Sequence, residues 1–277
     1  MALAGIALAA TFSSCKKESS GKTSDEITAT IELSGDQAIS DNLNADAENV
    51  LNEAAVDNHF AGSRNMNETQ TMNVLSCATV TVSEGPFPKT IVIDFGTGCT
   101  PQNGTVLRSG KINITLSDSL RTPGSVAVMT FDNYYVSGFK KEGTITWTNT
   151  STAQPFVKSW TRVCTDGKIT APGGRYWLHS GTQAIVQSEG SSTPFNLLDD
   201  VFTITGSHTV TNAAGASRTS EIIQPLEKKV TCENIDKGSI KIQGPNHYAL
   251  IDFGDGSCDH NATISIDGSN PIPFLLR

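Results

Sequence analysis

The chain has 277 residues, of which 37% are hydrophobic and only 17% charged, with a formal net charge of −8. That length suffices for one large β domain or two smaller ones, with ample core. The acidic balance speaks against nucleic acid or anionic membrane surfaces as electrostatic partners.

The first fourteen residues, MALAGIALAATFSS, form an apolar run too short to span a bilayer as a helix and suited to the hydrophobic region of a signal peptide. Cys15 follows, preceded by Phe12, Ser13 and Ser14, and the polar stretch KKESSGKTSDE begins directly after it. This junction resembles a bacterial lipobox, in which a signal peptidase cuts before a cysteine that carries a diacylglyceryl group. Phe12 stands where Leu is commoner and no Lys or Arg precedes the apolar run, a looseness that is similar to lipoproteins of the Bacteroidota. The resemblance implies loss of residues 1–14, lipidation of Cys15 and stable membrane anchoring through two or more acyl chains. It also implies a location in the cell envelope, at the outer membrane or cell surface. An ordinary secretory signal cut nearby is the alternative reading.

Residues 15–26 have the composition of a flexible tether, and residues 27–277 that of a β-rich domain. EITATIEL alternates as a strand would. The stretch from Asp36 to Phe60 spaces Ala38, Ile39, Leu43, Val50, Leu51, Ala54 and Ala55 as one short helix would, with Asp36 as its N-cap. From Cys77 onward, runs rich in Val, Ile, Thr and aromatics are separated by Gly, Pro, Asn and Asp clusters, the signature of an antiparallel β protein. The predicted strands are CATVTVS, KTIVIDFG, KINITLS, SVAVMTFDNYYV, KEGTITWTNT, FVKSWTRV, YWLHSGTQAIVQ, VFTITGSHTVT, SRTSEIIQPL, GSIKIQ, HYALIDFG and ATISID. The expected fold is all-β: a large antiparallel β-sandwich, or two β lobes related by an internal repeat, with one short N-terminal helix.

The repeat lies near residues 77–116 and 232–266, where VIDFGTGC and LIDFGDGSC close two similar segments. Each copy opens and closes on a cysteine, which selects the pairs Cys77 with Cys99 and Cys232 with Cys258 from the three connectivities four cysteines allow. Such bridges imply an oxidising compartment. Cys164 is left over and reads as a small buried hydrophobe. Within the repeated phrase Ile93 and Phe95, like Ile251 and Phe253, share the core face of a strand, while Asp94 and Asp252 precede turn glycines whose N–H groups they can accept. DFGDG resembles a turn of PKD-type β-sandwich domains over about five residues. The spacing of Asp252, Asp255 and Asp259 is not that of a calcium loop, so no metal and no cofactor are expected.

All three tryptophans, Trp147, Trp160 and Trp177, fall in one central stretch together with Tyr134 and Tyr135. Exposed, these rings would supply a platform for a glycan or an envelope protein; packed between layers, they would be core. The five histidines stand in no recognised catalytic spacing, and no nucleophile elbow, zinc-protease helix or phosphate loop occurs. The expected function is therefore that of a non-catalytic, lipid-anchored envelope protein that binds a glycan or protein. A structural or assembly lipoprotein is the alternative, and a hydrolase using carboxylates such as Asp199 and Asp200 is a third reading.

Overall fold

The computed structural model describes residues 17–61, 71–101, 104–154 and 156–276, with side chains from Thr23 onward. Helix α1 runs from Lys17 to Asp57. The strands follow: β1 (Thr79–Val82), β2 (Lys89–Asp94), β3 (Arg108–Leu116), β4 (Val126–Val136), β5 (Phe139–Asn149), the two-residue pair β6 (Thr152–Ala153) and β7 (Phe156–Val157), and β8 (Ser159–Thr170). Next come β9 (Tyr176–Glu189), β10 (Val201–Asn212), β11 (Ser217–Lys229), β12 (Lys237–Gln243), β13 (Tyr248–Asp255), β14 (Asn261–Ile266) and β15 (Ile272–Leu275). Apart from β6 and β7, the strands pair in chain order as one thirteen-stranded antiparallel meander. The all-β antiparallel class is thus the one observed, and every predicted strand from Cys77 onward is present.

The sheet is not flat. Every neighbouring pair from β3/β4 to β12/β13 carries a register shift, while the outer pairs at both margins run regularly. Bulges bend a strand and increase its twist, so a band of them across the middle curls the sheet. Gly110 and Gly143 are among the glycines that they require. A Cβ at Gly110 would lie 2.0 Å from the Asn133 carbonyl oxygen, and one at Gly143 would lie 2.6 Å from that of Asp166; both residues have positive φ. The curl brings opposite halves of the sheet together across α1. Val136 and Phe139 line one hollow with Glu233 and Asn234, and Phe274 of β15 packs beside Gly35 of the helix. The margins do not join: β1 pairs only with β2, and β15 only with β14.

The helix differs from expectation in length and position. It takes in EITATIEL, expected as a strand, and residues 17–26, expected as a tether, and Asp36 sits in its interior instead of capping it. The reason lies in its surroundings. From Thr30 to Val56 nearly every helical residue is buried or half-buried, on all sides, so no apolar stripe is needed and none is present. The segment from Thr23 to Asp57 holds nine carboxylates and no basic residue. The sheet answers them with cations and donors: the Arg108 guanidinium and the Tyr134 hydroxyl donate to Asp46, Arg175 to Asp36 and Glu32, and Arg218 to Thr30. Buried charges tolerate such a place only when paired and hydrogen-bonded.

The two disulfides join Cys77 to Cys99 and Cys232 to Cys258, with Cα atoms 5.6 and 5.2 Å apart. Each clamps the open end of a hairpin, β1–β2 in one copy and β12–β13 in the other. Ile93, Phe95, Ile251 and Phe253 are all buried, and Asp94 and Asp252 accept the N–H groups of Gly96 and Gly254 at 2.8 and 2.9 Å. The repeated phrase is a strand that ends in a capped, stapled turn.

Candidate functional site

The central aromatics face inward. Trp147, Trp160, Trp177 and Tyr134 are between 0 and 7% exposed, and the Trp177 indole N–H donates to Ser40 of the helix at 2.8 Å. Strand alternation puts only Tyr135, next to Tyr134, on the outer face, where it is 37% exposed. The expected recognition platform is therefore core: a sheet curled round a helix needs large rings to fill the gap, and the central strands β4 to β9 supply them.

Around the middle of α1 lies a buried polar cluster. Gln37 and Gln183 donate to the two oxygens of Asp41, at 3.0 and 3.1 Å, and Gln37 also contacts His208 Nδ1. Lys141 donates to Asn44 at 2.7 Å, and burial lowers its ammonium to about 8. Arg162 lies 3.7 Å from Glu48, whose carboxyl is raised to about 7, chiefly by burial. Cys164 Sγ stands 3.6 Å from His179 Nδ1. A thiol beside an imidazole is the pairing that nucleophilic catalysis uses. Here burial pushes the Cys164 thiol up and holds the His179 imidazole well below its usual range, so the neutral forms of both are favoured. Both residues are at most 3% exposed, and the cluster serves to seat the helix.

Asp199 ends a short turn, residues 197–199, that Asn196 caps, and Asp200 follows it. Asp200 is buried, accepts a hydrogen bond from Gln187 at 2.7 Å, and is raised to about 7, chiefly by burial. Asp199 accepts from Thr193. The adjoining cavity, which Arg121, Trp160 and Phe202 also line, measures about 20 Å³, room for a water molecule and not for a substrate. At the β13–β14 turn an open hollow of about 440 Å³ is lined by Asp252, Asp255 and Asp259. Those carboxylates are spent on the turns themselves: Asp255 accepts from Ser257 and Asp259 from Asn261, which lowers both below the usual carboxylate range.

The feature with the form of a binding site is a groove of about 400 Å³ between α1 and β15. Its helix wall is the stripe Ile31, Gly35, Ala38, Ile39 and Asn42; its other wall is Pro273 to Leu276. Gly35 leaves room for the Phe274 ring, which a Cβ would meet at 3.6 Å. One end is polar, where Arg175 bridges Glu32 and Asp36 at 2.9 and 2.6 Å. Ile31, Ile272 and Leu275 are 40, 59 and 66% exposed. Ile39 and Asn42 also line the hollow with Val136 and Phe139, so the two spaces adjoin. The sequence signal for the groove was the apolar run PIPFLL after the last predicted strand. Cys15 lies outside the described residues. Comparison with protein-family models, with curated proteins and with solved structures finds no match to this chain.

Proposed function

We propose that this is an exported, lipid-anchored protein of the cell envelope that works by binding a protein segment in the groove between α1 and β15. The observation that carries the binding reading is a contrast in access. The groove is open, with an apolar floor and one polar end, whereas the thiol, the imidazoles of His179 and His208 and the Asp200 carboxyl are buried. Export is supported by the Cys15 junction and by the two disulfides, which persist in oxidising compartments. A protein partner is favoured over a glycan because the tryptophans that would stack on sugar rings are core. The free edge of β15 carries Pro273, which lacks an N–H donor, so the groove suits side-chain docking better than strand addition.

A photo-crosslinking residue placed at Leu275 in the full chain, expressed in its envelope, tests this. The expected result is a discrete adduct with one envelope protein, lost when Ile31→Glu is added without change in thermal midpoint. No adduct, or the same adducts from Ile223 on another exposed surface, would contradict it. Concentration-dependent self-association without such an adduct would favour an assembly role.

A further inference from the structure

The two copies of the repeated segment differ beside their bridges. In each, one cysteine is buried and the other is at the surface: Cys99 and Cys232 are both 4% exposed, while Cys77 and Cys258 are exposed. Only the second bridge has a carboxylate against it. An oxygen of Asp236 and the sulfurs of Cys232 and Cys258 lie within 4.8 Å of one another, and among the described residues no carboxylate or imidazole stands in that relation to Cys77 and Cys99. The fourth residue after the opening cysteine is Asp236 in the second copy and Thr81 in the first.

The backbone holds Asp236 in that place. Its N–H donates to the Glu227 carbonyl at 3.2 Å and its carbonyl accepts from Gly256 at 2.9 Å, which ties it between the end of β11 and the turn after β13. Asp236 is 2% exposed, yet neither oxygen of its carboxyl group accepts a hydrogen bond. Lys229 Nζ stands 3.5 Å from one of them and donates instead to the Gly256 carbonyl at 2.6 Å, while Lys228 donates to the Cys232 carbonyl. A buried carboxyl group left without hydrogen bonds costs stability, and such groups mark redox or proton-transfer chemistry, or water, more often than plain packing. Burial, helped by Glu227, raises this carboxyl above its usual range against the opposing charges of Lys229 and Lys228, which shifts it toward the protonated form beside the sulfurs.

We infer that Cys232–Cys258 is a thiol–disulfide exchange site at which Asp236 supplies and removes the proton of Cys232. An external thiolate attacks the sulfur of the exposed Cys258, the S–S bond breaks with its electron pair on Cys232, and the carboxylic acid of Asp236 protonates that buried sulfur, directly or through one water. The products are a mixed disulfide on Cys258, a Cys232 thiol and an Asp236 carboxylate. A second thiolate then attacks the outer sulfur of the mixed disulfide, so that two thiols are oxidised to a disulfide and the bridge is reduced to two thiols, the Cys258 thiolate taking its proton from solvent. In the reverse direction the carboxylate takes the Cys232 proton, and the thiolate so formed closes the bridge. The open hollow of about 440 Å³ gives access, since its lining includes Ser257 and Asp259 on either side of Cys258. Its carboxylates, Asp252, Asp255 and Asp259, favour a cationic thiol over an anionic one.

The test uses the oxidised full chain near neutral pH with cysteamine in excess, an acid quench, and peptide mass spectrometry that follows both bridges in the same molecule. Cys232–Cys258 should open at least tenfold faster than Cys77–Cys99, through a mixed disulfide on Cys258. Asp236→Asn should slow that opening at least fivefold while Cys77–Cys99 opens at its former rate. A substitution that merely loosened the fold would speed the opening, so the sign separates proton transfer from a structural role. Equal rates for the two bridges, cysteamine carried on Cys232, or unchanged or faster opening of Cys232–Cys258 in Asp236→Asn would overturn the inference. The comparison of the two bridges in the unaltered chain decides it even where the variant does not fold.

Discussion

Arg162 on β8 and Glu48 on α1 meet 3.7 Å apart, with side chains 1 and 5% exposed. The pair bridges the sheet and the helix in the closed part of the interior. Truncating one partner leaves the other charged, buried and uncompensated, which costs about 3–5 kcal/mol. Glu48→Ala should lower unfolding free energy by that amount in denaturant titrations, while Glu221→Ala on the exposed outer face should change it by less than about 0.5 kcal/mol.

The same carboxyl predicts a pH dependence. Glu48 is raised from the ordinary 4.5 to about 7 in the folded protein, so the native state binds more protons than the unfolded chain between those values. Stability from this group is then fully present at low pH and is lost as pH rises from about 4.5 to 7, by as much as about 3 kcal/mol. Asp200, raised to about 7, acts in the same direction. Glu48→Gln should flatten the decline between pH 5 and 7.5; parallel pH profiles for the two proteins would contradict the assignment.

The curl of the sheet is tested at its bulges. Gly143→Ala would press a methyl group against the Asp166 carbonyl in a backbone conformation that L residues rarely adopt, and should cost about 3 kcal/mol or more. Gly215→Ala, also at positive φ but with open space around it, should cost about 1 kcal/mol. Thermal midpoints of the two variants make the comparison.

The strands and the disulfide pairs were legible in the sequence because both depend on short-range pattern. Alternation over four to twelve residues marks Ile91 and Ile93, or Ile240 and Ile242, as inward, and the duplicated phrase orders the cysteines. The helix was less legible. Its residues are surrounded by sheet, so Asp41, Asn44 and Glu48 are as buried as Leu43 and Val50, and neither a period of two nor one of 3.6 records that. Tertiary pairing with Arg108, Lys141 and Arg162 also outweighs the weak helix propensity of its Asn and Asp residues. The tryptophans were read correctly as a cluster, but clustering in sequence does not say which face of a strand is covered. The groove was missed because β15 is four residues long and interrupted by Pro273.

The burial of Trp147, Trp160 and Trp177 gives a spectroscopic prediction. Iodide should barely quench the native fluorescence and should quench it strongly after unfolding. Extensive quenching of the native protein would mean that at least one indole is at the surface.

Each disulfide closes a loop, of 22 or 26 residues by sequence separation, and on the chain-entropy relation contributes about 3.5 kcal/mol. Replacing Cys77 and Cys99 together by Ser should lower stability by about that much, and so should replacing Cys232 and Cys258. Loss of either bridge should leave the order of the central strands β4 to β11 intact, as amide exchange would report.

The central claim, an envelope protein held by lipid at the foot of a helix that threads its own sheet, is tested most directly by mass spectrometry of the intact chain from the membrane fraction. The predicted result is a protein that begins at Cys15, lacks residues 1–14 and carries the mass of two or three acyl chains on that cysteine. A chain with an unmodified Cys15, recovered from the soluble fraction, would contradict it.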